Sequence, residues 1–224
     1  MVVFGRQGRE HAESLAGQQT TPKWTNPASV RHAVGDRAKG DAMSNFRRWM
    51  VRSLVALMVG IPLMAISLYF INPFGAQSRD PRQRILGYAP YRIPSRSMLP
   101  TFEPGTVVLM RAGYYRKHVP ARGEVVIFLD PQRREPWVQR VIGLPGERIA
   151  IDHGTVRIDG AYLTEDYLDP ANVTSDHSRQ MHEQKVPADS YFLLGDNRDN
   201  SYDARIAGAT PRGDLTGKVI AAFK

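Results

Sequence analysis

Residues 54–71 read LVALMVGIPLMAISLYFI, and no charged side chain occurs between Arg52 and Arg79. A helix needs about 20 apolar residues to cross a hydrocarbon core of about 30 Å. Counted from Trp49 or Val51, this run is long enough. Gly60 and Pro62 would be costly in a soluble helix, but both residue types are more frequent in membrane helices. Arg47, Arg48 and Arg52 stand just before the run, with Trp49 and Tyr69 near its two ends. A buried core helix is one alternative, yet the rest of the chain offers few helices to cover it. A cleaved signal peptide is another, but the run is long and no small-x-small site closes it. The expected element is one uncleaved anchor over residues 49–72, with membrane lipid as its surroundings. The positive-inside rule places the N-terminus in the cytoplasm and residues 75–224 outside the plasma (inner) membrane. Arg79, Arg82 and Arg84, on the far side, weaken that asymmetry.

Ahead of the anchor, residues 1–45 are polar, rich in Gln, Gly, Thr and Ala, and without a sustained period. They are expected to form a disordered cytoplasmic leader, and Met43 is an alternative start. The 224 residues suit one domain with an extra segment. The net charge of +8 taken alone admits nucleic acid or an anionic membrane as partner. Residues 1–48 hold 8 basic and 4 acidic side chains and the remainder 22 and 18, so the excess is spread out. There is no basic run interleaved with aromatics, which argues against a nucleic-acid surface. With no cysteine, disulfides, Cys-ligated zinc and a Cys nucleophile are excluded.

Beyond the anchor the chain reads as strand. Residues 106–110 (TVVLM), 124–129 (EVVIFL), 137–142, 155–158 and 191–194 are short β-prone runs, punctuated by Pro104-Gly105, Pro145-Gly146, Asp159-Gly160 and Gly195-Asp196. The expected fold is mainly β: an antiparallel domain over residues 75–224, tethered by one N-terminal transmembrane helix.

Three clusters in it could carry chemistry. Residues 94–101 read PSRSMLPT, in which Ser95 and Ser97 flank one residue between two stiffening prolines. Such a turn could present one hydroxyl as a nucleophile while the other, with a backbone N–H, faces an oxyanion. From the pattern alone, a plain Ser-rich turn is the better reading. Residues 139–147, QRVIGLPGE, run from a strand into a tight turn. Residues 195–205, GDNRDNSYDAR, end a strand in a loop dense with charge, where Asp203 could pair with Arg205 and Asp196 could reach Arg140. A calcium loop is disfavoured because the closing glutamate of an EF-hand is missing.

In this order, and together with the preceding anchor and the strand starting Arg122-Gly123-Glu124-Val125-Val126, the clusters resemble bacterial signal peptidase I, the membrane-bound Ser-Lys protease family. The likeness spans about residues 45–222, and GDNRDNSxDxR is its most specific part. The resemblance implies a β catalytic core near the outer membrane surface, exported preproteins as partners, and cleavage after small residues such as Ala-x-Ala. It implies Ser97 as nucleophile, Ser95 as an aid to the oxyanion hole, and Ser201 as a serine that orients the base. It further implies a supporting Asp203–Arg205 salt bridge, with Arg140 and Asp196 as structural support.

One position departs from the pattern. The family places its general-base lysine immediately before the residue matching Arg140, and this chain has Gln139 there. A serine hydroxyl must lose its proton to a positioned base, and an amide has no usable basicity near neutral pH. Gln139 is expected to hydrogen-bond Ser97 and hold the site's shape. Lys117, Lys185, Lys218, Lys224 and six histidines remain as substitute bases, but none falls in a motif position. Lys185 and His182 are expected in a solvated loop, and His177 and His182 make a poor metal pair. Three readings stay open: an active peptidase with a relocated base, an impaired homologue that binds signal peptides without efficient cleavage, and a specialised peptidase maturing one exported substrate. No metal or organic cofactor is indicated.

Overall fold

The structure, a computed structural model, describes residues 27–130 and 135–224, with side chains from Ala42 onward. It resolves into two compact units, one ending at Gly60 and one comprising Ile61–Lys224.

Helix α1 (Pro27–Ile71) holds the apolar run. Its first residue is proline, whose missing N–H is no loss at a helix start. The helix takes in residues 27–45, which were expected to lack regular structure; the rest of the leader, residues 1–26, lies outside the described residues. The stretch Ala42–Ile71 has a mean hydropathy of 2.4, and none of its apolar window is buried in the protein. Leu54 is 60% and Met58 70% exposed, so no stripe is reserved for a protein core. At 1.5 Å per residue its 30 residues extend about 45 Å, ample to cross a bilayer. Ser67 donates to the Leu63 carbonyl at 2.8 Å, satisfying its hydroxyl within the helix.

The second unit is built on strands β1 (Tyr88–Arg92), β2 (Val107–Ala112), β3 (Val125–Leu129), β4 (Pro136–Gly143), β5 (Arg148–Asp152), β6 (Thr155–Ile158), β7 (Ala161–Tyr162), β8 (Met181–Lys185), β9 (Ser190–Leu194), β10 (Thr210–Pro211) and β11 (Leu215–Phe223). Two four-residue helices, α2 (Asp176–Arg179) and α3 (Ala204–Ala207), interrupt the later loops. A seven-stranded sheet runs β1-β2-β11-β3-β4-β9-β10 and a four-stranded sheet β7-β6-β5-β8. Every pairing is antiparallel. The expected mainly β, signal-peptidase-like domain with one apolar N-terminal helix is what the chain adopts.

Packing explains where the catalytic loops come together. Ile142, Phe192 and Leu194 of the large sheet share a buried cluster with Ile149, Ile151 and Val156 of the small one. A second cluster joins Ala89, Val108, Met110 and Ile127 across β1, β2 and β3. Strands β3, β4 and β9 are thereby fixed side by side, with Val126 opposite Gln139 and Arg140 opposite Leu194. The residues that follow β1, lie within β4 and follow β9 then converge at one place.

The stretch containing His182 and Lys185, expected as a loop, is the edge strand β8. It pairs with β5 while four of its five side chains remain exposed.

Candidate active site

Three segments form the site. Ser95 and Ser97 follow β1, Gln139 and Arg140 lie within β4, and residues 195–205 follow β9. Met98, fully buried, anchors the serine turn from beneath. The Asn197 N–H donates to the Ser97 carbonyl at 2.9 Å and ties the first segment to the third. The Ser95 and Ser97 hydroxyl oxygens are 2.9 Å apart, within hydrogen-bonding distance.

These segments line a cavity of about 480 Å³. Its walls include Ile93 and Pro94 beside the two serines, and Trp137 and Gln139 across from them. Tyr202 and Glu135 lie on it as well, Tyr202 edge-on to Trp137 with ring centres 5.6 Å apart. Among the described residues, no lysine or histidine lines this cavity. Lys218 is engaged by Glu124 at 2.6 Å and Lys224 by Glu103 at 3.2 Å. Lys117 lines a different cavity, and Lys185 is on β8.

Gln139 is 3% exposed. Its side-chain amide donates to the Tyr202 carbonyl at 2.9 Å. The expected bond from Gln139 to Ser97 is therefore replaced by one to the 195–205 loop, since a buried amide N–H takes the nearest well-placed carbonyl. Beside it the Ser201 hydroxyl is buried and has no hydrogen-bond partner among the described residues. Such an orphaned group is costly. Gly195 allows it to sit there: a Cβ on Gly195 would lie 2.3 Å from the Ser201 Oγ and 2.6 Å from the Ser97 carbonyl.

Around this centre the arginines are bound as the motif suggested. Arg140 donates to Asp196 at 2.9 and 2.6 Å and to the Gly123 carbonyl at 2.8 Å. Thr101 donates to Asp196 at 2.5 Å and accepts from Arg140 at 3.2 Å. Burial works against the Arg140 charge, but the Asp196 carboxylate outweighs it and raises the guanidinium pKa above its ordinary value. Arg205 donates to Asp203 at 2.8 Å through both Nε and Nη2. Arg198, entirely buried, pairs with Glu165 at 2.6 Å and donates to the Gly195 carbonyl at 3.0 Å.

All eight expected residues thus fall in one region: Ser95, Ser97 and Gln139 on the cavity, Ser201 beneath it, and Arg140, Asp196, Asp203 and Arg205 bracing its walls. Sequence reasoning missed Thr101, Glu165, Tyr167, Arg198 and Tyr202. Thr101 and Arg198 were in sight within their motifs. Glu165 and Tyr167 sit in a distant loop that no local pattern marks, although Tyr167 lies under Arg140, whose guanidinium carbon is 4.0 Å from the ring centre.

Comparisons with known proteins agree with this geometry. The family described as signal peptidase, peptidase S26, matches residues 82–223, a range that contains every residue of the site. The signal peptidase I of Leptolyngbya laminosa is 35% identical over 178 residues, 75% of this chain and 79% of that protein. That of Bacillus caldolyticus is 31% identical over 145 residues, 61% of this chain and 79% of that protein. A crystal structure of a signal peptidase I from Enterococcus faecalis is 30% identical and covers 46% of this chain and 98% of its own, with a TM-score of 0.40.

Proposed function

This chain belongs to the signal peptidase S26 family, whose serine peptidases remove signal peptides from exported preproteins, and from that premise we propose that it is a membrane-anchored signal peptidase I with a fully assembled peptide site and a missing general base. Its substrates are preproteins ending their signal in small residues of the Ala-x-Ala kind. Apolar walls from Ile93, Pro94 and Trp137 suit the small apolar side chains of such a site. Helix α1 holds the domain at the membrane, and the arginines preceding its apolar run set the N-terminus in the cytoplasm and the β domain outside.

In this reading Ser97 attacks the scissile carbonyl, and Ser95 supports the oxyanion that forms. Its hydroxyl lies close enough to that of Ser97 to act on the same oxygen. The step then stalls at proton transfer. The observation that carries the proposal is a Gln139 amide held by the Tyr202 carbonyl, next in the chain to a buried Ser201 hydroxyl that has no partner among the described residues. That arrangement suits a buried ammonium or amine better than an amide. No described lysine or histidine lines the cavity, which favours slow turnover over a relocated amine or imidazole base. Removing one member of a catalytic unit typically costs on the order of 10⁴ in rate.

The test uses a preprotein with an Ala-x-Ala site and identifies the products by mass. Wild type is expected to bind the preprotein and release the mature chain slowly. The Gln139→Lys variant is expected to cut at the same bond much faster, and Gln139→Lys combined with Ser97→Ala is expected to be inert. A folded Gln139→Lys variant that binds without cutting would establish a binding protein instead.

A further inference from the structure

The anchor helix ends beside a second cavity, of about 410 Å³, whose wall is cationic. One side is the turn Asn72–Gly75, which begins at the residue after the last helical position. The other side runs from Arg111 to His118 and brings Arg111, Arg116, Lys117 and His118 to one space. Among the described residues, no Asp or Glu lines it. Among the described residues, Arg111, Arg116 and Lys117 make no ion pair, although Arg82, Arg122, Lys218 and Lys224 of the same unit each hold a carboxylate. Gathering uncompensated cations raises the local positive potential, which an anion would relieve.

The wall is held in shape before any ligand arrives. Gly75 has φ 65°, and a Cβ there would come within 2.5 Å of the Arg116 Cδ and Nη1, so the Arg116 side chain rests against its backbone. Asn72 closes the turn, its carboxamide bonding both the N–H and the carbonyl of Ala76 at 2.8 and 2.9 Å. The Tyr114 ring stacks on His118 at 4.0 Å, with the Arg111 guanidinium 5.3 Å from the same ring.

Exposed apolar side chains accompany this cationic wall. Phe74 is 44% exposed and lies against Gly87, whose neighbours Leu86 and Tyr88 are 60% and 40% exposed. Cations at the end of an apolar helix, next to exposed aliphatic and aromatic groups, match the layered chemistry of a headgroup region. A site for a free anion in water would need no such apolar flank.

We propose that this cavity binds the phosphate of an anionic phospholipid headgroup in the leaflet that faces the β domain. The proposal rests on α1 lying in the membrane and is independent of Gln139 and of turnover. Arg111, Arg116 and Lys117 would hold the phosphate, and Phe74 would meet the acyl boundary.

The full chain in neutral detergent, titrated with dioctanoyl-phosphatidylglycerol, tests it. One saturable site is expected, weakened on the order of tenfold or more by Arg116→Gln with Lys117→Gln, and retained by Arg116→Lys with Lys117→Arg. An unchanged lipid-free Tm shows that the variants are folded. Equal affinity for dioctanoyl-phosphatidylcholine, or undiminished phosphatidylglycerol binding by the Gln variants, would overturn the proposal. Inorganic phosphate binding as tightly as the lipid would make this a free-anion site and also refute it. Flotation with phosphatidylcholine vesicles reports the anchor separately, so loss of the span and loss of the lipid site are told apart.

Discussion

Gln139 places an amide where Ser97 would have to surrender a proton. The amide donates a hydrogen bond to the Tyr202 carbonyl, and in the proposed reading it cannot take up that proton. Two outcomes follow at this scale. An amine at position 139 would be as buried as the present side chain, which is 3% exposed, and burial lowers a lysine pKa from its usual value of about 10.4. The neutral, reactive form of that lysine is populated above the lowered pKa, so cleavage by Gln139→Lys should rise with pH through it. The pH–rate profile of the wild type should lack that rise, because nothing at the position titrates. Ser201 supplies the second outcome. With no partner for its hydroxyl among the described residues, Ser201→Ala should leave the residual rate nearly unchanged, yet cost about tenfold or more in the Gln139→Lys background, a coupling that a double-mutant cycle measures. The identities and neighbours of Ser95, Ser97, Arg140, Asp196, Asp203 and Arg205 could be read from the motifs, because each belongs to a dense local pattern. The partner of Gln139 could not, since it is a backbone carbonyl 63 residues further along the chain.

Strands with apolar runs, such as β3 and β9, were legible for the physical reason that they are buried on both faces. Six others were not, among them the two-residue strands β7 and β10. Strand β1 contains Pro90 and survives because it is an edge strand paired only with β2. Strand β8 is polar, and the polar side chains of β11 are interrupted by Gly217, at a position where the register shifts. Strand β5 offers only Ile149, Ala150 and Ile151 as a signal. The loop carrying residues 195–205 depends on a strap from a segment far from it in sequence. Asp199 accepts hydrogen bonds from the Thr174 N–H and hydroxyl at 2.8 and 2.7 Å and from the Ser175 hydroxyl at 2.6 Å. Burial opposes the Asp199 charge, but these donors outweigh it and hold the carboxyl far below the usual carboxylate range. A lowered folded-state pKa stabilises the protein above the ordinary carboxylate value of 3.8, and that stability drains away as the pH falls below it. Thermal unfolding of the full chain between about pH 5 and pH 2 should therefore show a smaller loss of Tm for Asp199→Asn than for wild type. An equal loss would remove the strap from the account.

Across the whole molecule the basic excess has found its places. Arg140, Arg198 and Arg205 are held in ion pairs that brace the site, Arg47, Arg48 and Arg52 precede the apolar run of α1, and Arg111, Arg116 and Lys117 gather at the helix's other end. The first two groups were visible as motif and flank. The third was not, because Asn72–Gly75 and Arg111–His118 come together only once the domain is folded. In the proposed reading, the anchor, the peptide cavity and the Ser95–Ser97 pair lining it leave one defect between this protein and rapid signal-peptide removal. The rate of preprotein cleavage by the full chain in vesicles, compared between wild type and Gln139→Lys with Ser97→Ala as the zero, tests that claim most directly. The account predicts a gain on the order of 10³ to 10⁴ from the single lysine. A wild type that already cleaves as fast as the lysine variant would contradict it.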